Sequence, residues 1–253
     1  MEVLDPVIDV RPGRLRGTFS NRWLHARFSF SFGSWQQPGR ESFGPLRALN
    51  EDIVQPGSGF DMHPHRNLDI FMHPLSGEVE HRDSLGHIAR VRPGQVQRMF
   101  AGDGIRHSQM NASTSELDHH LQIWLRPARD GGRPSVETRG FDLFGQSGRW
   151  CSVIAPDGRD GSFVVDQEAR MSTTCVRDGK VATWAPREGS MVYLHAIDGT
   201  GAAHVNGAEG PFQLAAGDAL AIPRTSAQPI RVESDGPAAR FLIFEFAGSG
   251  LGT

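Results

Sequence analysis

The fold is decided by two stretches of the sequence, Gly59-Phe-Asp-Met-His63-Pro-His65-Arg-Asn-Leu-Asp69 and Gly102-Asp-Gly-Ile-Arg-His107-Ser-Gln109. Residues two apart on a β-strand share a face, so His63 and His65 project the same way, as do His107 and Gln109. Two strands that each present such a pair into a barrel can place four ligands around one metal ion. Three imidazoles with one oxygen donor suit Fe, Co, Ni, Cu or Zn.

The whole set of residues, and not the histidine pair alone, indicates a metal site. A His-x-His pair on a strand is often part of a polar surface, and His107 alone means little. Here a glycine turn precedes the pair, Asp69 follows it, and a glycine-rich turn precedes His107, with Asn111 four residues later. This order and spacing match the two signature motifs of cupin barrels. We therefore predict one metal site, in the N-terminal half of the chain.

Many short strands joined by tight turns are predicted along the chain. Thirty glycines and sixteen prolines punctuate short segments, and long amphipathic helices are hard to find. Leu121–Leu125 alternates between two faces, and Phe241–Phe246 is typical of a buried strand. Ser76-Gly77, Asp83–Gly86 and Asn206-Gly207 are predicted hairpin turns. The predicted fold class is all-β, a sandwich or barrel.

The two halves of the chain repeat the same order of turns and strands. Gly77 is followed by a turn at Pro93-Gly94, and Gly199 is followed at nearly the same distance by a turn at Ala216-Gly217. A short strand follows each turn, and each half closes on an apolar strand. A repeat of this length indicates one duplicated domain and not a solenoid.

The predicted domains are residues 1–132, an N-terminal barrel with the metal site, and residues 133–253, a C-terminal barrel without metal. Residues 126–139 are the predicted linker, because glycine, proline and charged residues are concentrated there. The boundary is therefore placed between two units of similar length.

Counting along the repeat gives the positions in the second half that correspond to the histidines. The offsets of His63 and His65 from the first repeat glycine fall on Ala185 and Arg187, and the offset of His107 falls on Ile230. These residue types do not complete a metal site, so the second barrel is predicted to be structural.

Charge and composition exclude some classes of function. The chain has 253 residues, a formal net charge of -3 and a pI of about 6.4, so no basic excess predicts nucleic-acid binding. The N-terminus has acids and a proline where a signal peptide needs an apolar run, and no apolar stretch approaches a membrane span. We expect a cytoplasmic protein without a nucleic-acid or membrane partner, in which Cys151 and Cys175 are free thiols.

Three short runs resemble the pirin family more closely than cupins at large. They are GEVEHRDSLGH at 77–87, RPG at 92–94 and AGDGIRHS at 101–108. The resemblance extends over nearly the whole chain, with a weaker second barrel. It implies two tandem cupin barrels (double-stranded β-helix, or jelly-roll, domains) and an iron-type metal held by three histidines and one glutamate. Some pirin relatives act as quercetin 2,3-dioxygenases, and others act as nuclear transcription cofactors.

The sequence departs from this family pattern at two positions. The family's glutamate ligand follows the last histidine by two residues, where this chain has Gln109, and the acid of the first motif is Asp69 instead of glutamate. The Gln109 amide offers a neutral oxygen but cannot take a proton. Asp69 either supplies the missing carboxylate or orients a histidine from outside the ligand set, and the second role is favoured. The candidate catalytic residues are Gln109 and Asp69, and the candidate ligands are His63, His65, His107 and Gln109.

Other histidines of the N-terminal half receive smaller roles. His73 has the strand parity of Asp69, so it is expected to face the barrel interior. His81 is expected to face solvent near a hairpin. His119 and His120 are adjacent and cannot share a face, so at most one of them lines the barrel mouth.

Three classes of function fit these features. The first is a metal-dependent dioxygenase that cleaves a flavonol or similar small aromatic with O2. Because Gln109 cannot act as a base, Asp69, His73 or metal-bound hydroxide would replace the family carboxylate. The second is a non-catalytic, metal-dependent regulatory module that binds an unspecified protein, and the third, a storage-like cupin, is disfavoured by the histidine triad. The expected cofactor is one divalent transition metal, first Fe, with Zn, Ni, Co, Cu or Mn as alternatives.

Overall fold

The computed structural model of the protein describes residues 8–248, which are mostly β-strand. Within this range the helical segments are two short 3-10 turns, Gly13–Leu15 and Arg159–Gly161. None of the helical segments described is long and apolar enough to cross a membrane. The prediction of an all-β fold is therefore confirmed.

The chain divides into two compact units. One unit is Arg16–Phe141, and the other combines Met1–Leu15 with Asp142–Thr253, of which residues 1–7 and 249–253 lie outside the described range. The division therefore differs from the predicted boundary between residues 132 and 133.

Strand pairing explains where the division falls. Ser135–Gly140, in the predicted linker, is a strand that pairs with Gln95–Phe100 and so belongs to the N-terminal unit. Asp9–Arg11 pairs with Ala219–Ile222, so the start of the chain belongs to the C-terminal unit. Ser135–Gly140 lies within the predicted linker because an edge strand buries little apolar surface, so its sequence does not differ clearly from that of a connection.

The N-terminal unit contains one seven-stranded and one four-stranded antiparallel sheet. With β1 assigned to Asp9–Arg11, its strands are β2 Gly17–Ser20, β3 Leu24–Phe28, β4 Leu46–Val54, β5 Gly59–His65, β6 Asp69–Ser76, β7 Val79–Asp83, β8 Ile88–Val91, β9 Gln95–Phe100, β10 Ile105–Asn111, β11 Asp118–Leu125 and β12 Ser135–Gly140. The larger sheet has the order β12-β9-β6-β11-β4-β3-β2, and the smaller has the order β5-β10-β7-β8. Strand alternation turns one face of each sheet inward, as in a jelly-roll barrel.

The inward faces follow the alternation expected of half-buried strands. In β3 the buried residues are Leu24, Ala26 and Phe28, which pack with Val54 of β4, while the residues between them are exposed. Each large apolar side chain buried in this way contributes about 1.5–3 kcal/mol. The core therefore fixes the register of the sheet that carries much of the cavity described below.

The C-terminal unit contains β1 together with the strands β13 Cys151–Ile154, β14 Ala169–Arg177, β15 Val181–Trp184, β16 Met191–Val205, β17 Phe212–Ala215, β18 Ala219–Ile222 and β19 Ile230–Phe246. They form one continuous eight-stranded sheet built on the long pair β16 and β19. Register shifts within this pair, between Ala196 and Asp198 and between Gly199 and Gly201, interrupt the ladder, and such irregularities bend a strand. Cys151 and Cys175 are free thiols, as predicted.

Equivalent glycines support the predicted duplication. Gly77 has a φ of +77°, and a Cβ there would lie 2.4 Å from the carbonyl oxygen of Leu117. Gly199 has a φ of +75°, and a Cβ there would lie 2.3 Å from the carbonyl oxygen of Ala238. Only glycine fits either position. The same constraint therefore recurs at the same place in both halves.

Two of the three predicted hairpins are confirmed. The turn after Asp83 joins the paired strands β7 and β8, and the Asn206-Gly207 loop joins the paired strands β16 and β17. The prediction at Ser76-Gly77 is wrong, because β6 and β7 belong to different sheets. That turn carries the chain from one sheet of the barrel to the other.

Candidate metal centre

Three histidines converge on the four-stranded sheet. β5 and β10 are neighbours, and His107 pairs directly with His63 in their register. His65, two residues from His63 on the same strand, has the same parity. Their ligand nitrogens all lie within 4.8 Å of one another. Among residues 8–248, this is the group of three or more His, Cys, Asp or Glu side chains that could hold a metal ion.

The geometry of the three side chains fits one ion. His63 Nδ1 lies 2.6 Å from the carbonyl oxygen of Asp61 and can only donate to it, which leaves Nε2 as the free lone pair. His63 Nε2 and His107 Nε2 are 3.1 Å apart. Two nitrogens bound to one ion at about 2.1 Å and at roughly right angles would be about 3.0 Å apart. The site therefore suits a first-row divalent metal with coordination positions left open.

The environment favours the neutral form of the imidazoles. Burial, with a contribution from His63, lowers the pKa of His65 to about 4. Burial, with contributions from His63, His65 and His81, lowers the pKa of His107 to about 2. Because a metal binds the unprotonated imidazole, these side chains need lose no proton before binding at neutral pH.

His81 supports the centre from the next strand. Its ring centroid lies 5.3 Å from that of His107, and its side chain is fully buried, so the prediction that it faces solvent is wrong. β7 alternates buried Val79, His81 and Asp83 with exposed or half-buried neighbours, which gives His81 an inward parity. Asp83 accepts hydrogen bonds from His81 Nε2 at 3.2 Å and from His87 Nδ1 at 2.9 Å.

Gln109 is buried on β10, two residues from His107, and its amide is held by neighbours. Its Oε1 accepts from Gln122 Nε2 at 2.7 Å, and its Nε2 donates to Met72 Sδ at 3.4 Å. Gln122 in turn accepts from Trp124 Nε1 at 3.1 Å. An amide oxygen has a second lone pair. The role of Gln109 as a neutral fourth ligand therefore stays a prediction.

The structure does not bring Asp69 into the histidine group. Asp69 is buried at the start of β6, where its carboxylate accepts from Arg98 Nε of β9 at 2.7 Å. The carboxylate is thus held in an ion pair with a guanidinium, away from the histidines. His73, further along β6, is buried, but it pairs with Leu121, whereas its neighbour Met72 pairs with the cavity residue Gln122. Because successive residues of a strand face opposite sides of the sheet, His73 faces away from the cavity, and the prediction that it faces the barrel interior is wrong.

A cavity of about 340 Å³ borders two of the three histidines, His63 and His65. Its aromatic wall consists of Phe19, Phe28, Phe32, Phe60 and Trp124, and polar side chains reach it from Ser34, Asn50, Asp52 and Gln122. The volume lies within the range of small-molecule sites, and flat aromatic walls favour a planar aromatic ligand. His63 and His65 therefore lie on the wall of a cavity that has the size and the aromatic lining of small-molecule sites.

The seven-stranded sheet carries a polar cluster that was not predicted from the sequence. It contains Asp52 of β4, which lines the cavity, and Asp118 and His120 of β11. β4 places Asn50 and Asp52 at the same inward parity as its buried apolar residues. Two polar residues at core parity in an otherwise apolar strand were the available signal.

Comparisons with known proteins agree with this fold and site. The family model for Pirin matches residues 10–125, and the model for the quercetinase C-terminal cupin domain matches residues 152–246. The chain is 34% identical to a quercetin 2,3-dioxygenase of Escherichia coli K12 over 229 residues, which cover 90% of this chain and 95% of that protein. It is 32% identical to a pirin-like protein of Caulobacter vibrioides, covering 79% of this chain and 86% of that protein.

Solved structures extend the similarity to nearly the whole chain. The crystal structure of YhhW from Escherichia coli matches with a TM-score of 0.86 at 32% identity, covering 95% of this chain and 97% of that chain. The structure of the bacterial pirin YhhW in complex with nickel(II) matches with a TM-score of 0.85 at 32% identity, covering 95% of this chain and 99% of that chain. Both halves of this chain therefore have counterparts in one solved fold.

Proposed function

Since the chain belongs to the pirin family, we propose that it is a metal-dependent dioxygenase of the quercetin 2,3-dioxygenase type, which opens a flavonol or a similar small aromatic with O2. The observation that carries the proposal is the position of His63 and His65. They belong both to the three-histidine group and to the wall of the aromatic cavity. A metal held by these side chains would border the space where the substrate binds.

His63, His65 and His107 would hold one divalent transition metal, with Gln109 as a neutral fourth donor. Three imidazoles accept Fe, Co, Ni, Cu or Zn, and Fe is the first expectation. The nickel(II) complex of the related Escherichia coli pirin supports a divalent ion without selecting Fe. When bound, the metal would supply a Lewis acid for a substrate hydroxyl and, if redox-active, an electron source for O2.

The cavity side chains would bind and orient the flat substrate. Phe32 packs against Phe28 and Trp124 with ring centroids 5.2 Å and 5.0 Å apart, so these rings support one another in a fixed wall. The wall would exclude water from the reacting atoms. Asn50 Oδ1 is buried and accepts no hydrogen bond from any of the described residues. It is therefore available to accept one from a substrate hydroxyl.

Oxygen consumption tests the proposal. Protein reconstituted separately with Fe(II) and Ni(II) is mixed with quercetin, and O2 uptake and flavonol absorbance are followed together. We expect metal-dependent uptake that His107→Ala abolishes. A protein that retains about one equivalent of each metal but consumes no O2 with quercetin or other flavonols would contradict the dioxygenase proposal.

Gln109 favours a second function, a non-catalytic and metal-dependent regulatory module. The residue at the position of the family's ligand carboxylate is an amide, which neither adds negative charge nor takes a proton. In this alternative the protein binds its metal and a protein partner without turnover. The same assay separates the two functions, because the module binds metal and leaves O2 and the flavonol unchanged.

A further inference from the structure

The cavity wall contains one carboxylate, that of Asp52. Asp52 is only 3% exposed, and among residues 8–248 its side chain receives no hydrogen bond. Its ionic partner is His120, whose Nε2 lies 3.6 Å from Asp52 Oδ2, beyond the length of a hydrogen bond. A buried carboxylate without a donor is costly to maintain, so its place beside a small-molecule cavity indicates a functional role.

His120 lies between two carboxylates. Its Nδ1 lies 2.7 Å from Asp118 Oδ2, and the side chains of both residues are 1% exposed. The bond to Asp118 fixes the proton on Nδ1 and directs Nε2 toward Asp52. Burial opposes a charge on His120, but Asp118, with a contribution from Asp52, outweighs burial and raises the pKa of the imidazole. The protonated form of His120 is thereby favoured beside Asp52.

Burial and the charged groups around Asp52 bring its pKa into the range suited to proton transfer. Burial raises the pKa of Asp52 to about 6; His120 and Arg16 oppose the rise, and Asp118 and Glu51 add to it. At neutral pH the carboxylate is therefore mostly ionised, yet it is a stronger base than an ordinary aspartate. A base whose pKa lies near the working pH transfers protons efficiently in both directions.

The other candidates for the base are less suited to this step. The Gln109 amide cannot take a proton, and both ends of it are already hydrogen bonded to Gln122 and Met72. The Asp69 carboxylate is paired with Arg98, and neither Asp69 nor His73 lines the cavity. Apart from the proposed metal ligands His63 and His65, Asp52 is the acid–base group among the residues that line the cavity.

We propose that Asp52 is the base that takes the hydroxyl proton of the bound aromatic, with His120 and Asp118 as positioning residues. The proposal rests on the proposed function for the identity of the aromatic. The substrate O–H bond breaks, its electron pair stays on the substrate oxygen as a phenolate, and the proton moves to Asp52. The resulting carboxylic acid returns this proton to the product before the next turnover.

The test is an anaerobic absorbance titration of full-length protein with quercetin, because a flavonol absorbs at longer wavelength once its hydroxyl is deprotonated. The parent protein, Asp52→Asn and Asp198→Asn are compared in metal-loaded and metal-free form from pH 5 to pH 9. Asp198 is the matched control, since it is paired with Arg240 in the C-terminal unit. We expect the phenolate band of the parent protein to grow as the pH rises through about 6, and the control to behave identically.

Asp52→Asn is expected to lose most of the band at pH 7 and to lower kcat/KM for quercetin by about 10²–10⁴-fold, with metal content unchanged. His120→Gln removes the cation that favours ionised Asp52, so the rise of the band should move to higher pH while its plateau is kept. A purely structural role for the cluster would not move this midpoint. An Asp52→Asn protein with the parent band and rate overturns the proposal.

The remaining outcomes separate this proposal from the proposed function. If the parent protein shows the band but consumes no O2, the dioxygenase proposal fails and Asp52 stands as the base. If metal-loaded parent protein binds no flavonol, both fail. If Asp52→Asn does not fold, His120→Gln decides, and an unmoved midpoint overturns the assignment.

Discussion

The two barrels share a strand ladder but place different residues in it. In the N-terminal barrel the ladder of β5 and β10 ends at the pair His65 and Ile105. In the C-terminal barrel the ladder of β15 and β19 ends at the pair Trp184 and Ile230. β5 and β15 each precede the strand that leads to or contains the repeat glycine, Gly77 or Gly199. β10 and β19 each follow the short strand that comes after the second turn of the repeat. The ends of the two ladders therefore correspond.

Two residues from the end of each ladder, the paired residues of the two barrels differ in their capacity to bind a metal. His63 pairs with His107 in the N-terminal barrel, whereas Ala182 pairs with Val232 in the C-terminal barrel. Both of the latter are fully buried within the apolar core of their unit. One scaffold therefore yields either a three-histidine group or an ordinary apolar core, according to a few inward residues.

Counting a constant offset from Gly199 placed the counterparts of His63 and His65 at Ala185 and Arg187. The strand register places them at Ala182 and Trp184 instead. The count slipped because three residues separate β5 from β6, whereas six separate β15 from β16. Ile230 likewise corresponds to the end of the ladder and not to His107. The expectation of a C-terminal barrel without metal stays a prediction, now based on different residues.

The largest effect is expected from His63→Ala combined with His65→Ala. Only one imidazole of the group remains, so bound metal should fall from about one equivalent to none after reconstitution. Elemental analysis of the folded protein measures this directly. The matched control is His204→Ala in the C-terminal barrel, which should keep the full amount. A full equivalent in the double variant would show that the metal lies elsewhere.

Trp184→Ala should lower the stability of the protein without lowering its metal content. Trp184 packs against Trp150 with ring centroids 5.6 Å apart and donates a hydrogen bond to Glu245. Its removal should cost about 3–5 kcal/mol in the free energy of unfolding, measured with denaturant, while metal content stays unchanged. Its counterpart His65→Ala should impair metal binding and change the stability of metal-free protein by only about 1 kcal/mol. Metal loss in folded Trp184→Ala would contradict the assignment of the metal to the N-terminal barrel alone.

Parity along single strands made much of the N-terminal site predictable. His63 and His65 are two residues apart, and the glycine turns around the motifs identify strands from sequence alone. The all-β class and the duplicated repeat followed from the same local signals. Local sequence signals are therefore sufficient to identify the three histidines.

Features that depend on pairing between distant strands could not be predicted in this way. Asp52 meets Asp118 and His120 only because β4 and β11 are neighbours, with His120 directly opposite Asp52. The pairing of Asp69 with Arg98 similarly depends on the register of β6 and β9. Parity gives the face of a strand, but it does not give the partner across the sheet or the wall of a cavity.

Glu51 of the N-terminal barrel should make the free energy of unfolding depend on pH in the acid range. Hydrogen bonds and charges from His119 and Arg16 outweigh burial and lower the pKa of Glu51 to about 2. Its stabilisation is therefore fully present above the unfolded pKa of about 4.5 and is lost as the pH falls through about 2.

Glu51→Gln should lower the free energy of unfolding by about 2 kcal/mol at pH 7 and flatten its dependence on pH between about 5 and 2. Denaturant unfolding at a series of pH values measures both effects. Glu209→Gln, an exposed position of the C-terminal barrel, is the control. If the free energy of unfolding of Glu51→Gln fell between pH 5 and pH 2 as steeply as that of the parent protein, other carboxylates would cause the acid sensitivity.

Gln109→Glu should tighten metal binding, with a smaller effect than the changes above. A carboxylate can still accept from Gln122, it loses the donation to Met72, and it adds a negative charge that offsets the dication. Chelator competition should show about tenfold tighter Fe(II) binding, an effect of the size found for changes next to metal sites, with faster quercetin turnover. Gln213→Glu in the C-terminal barrel should change neither property.

Asp69 lies outside the histidine group and is paired with Arg98, so Asp69→Asn should keep its metal. Unchanged affinity in Gln109→Glu would therefore mean that water already fills the fourth position. The N-terminal centre would then consist of three imidazoles and solvent.

Anomalous diffraction from crystals of the metal-loaded protein tests the metal centre most directly. We predict one peak per chain, in the N-terminal barrel, bonded to nitrogens of His63, His65 and His107 at about 2.0–2.2 Å. We predict no peak beside Ala182 and Val232. A peak bonded to other residues, or a second stoichiometric peak in the C-terminal barrel, would contradict the assignment of the centre.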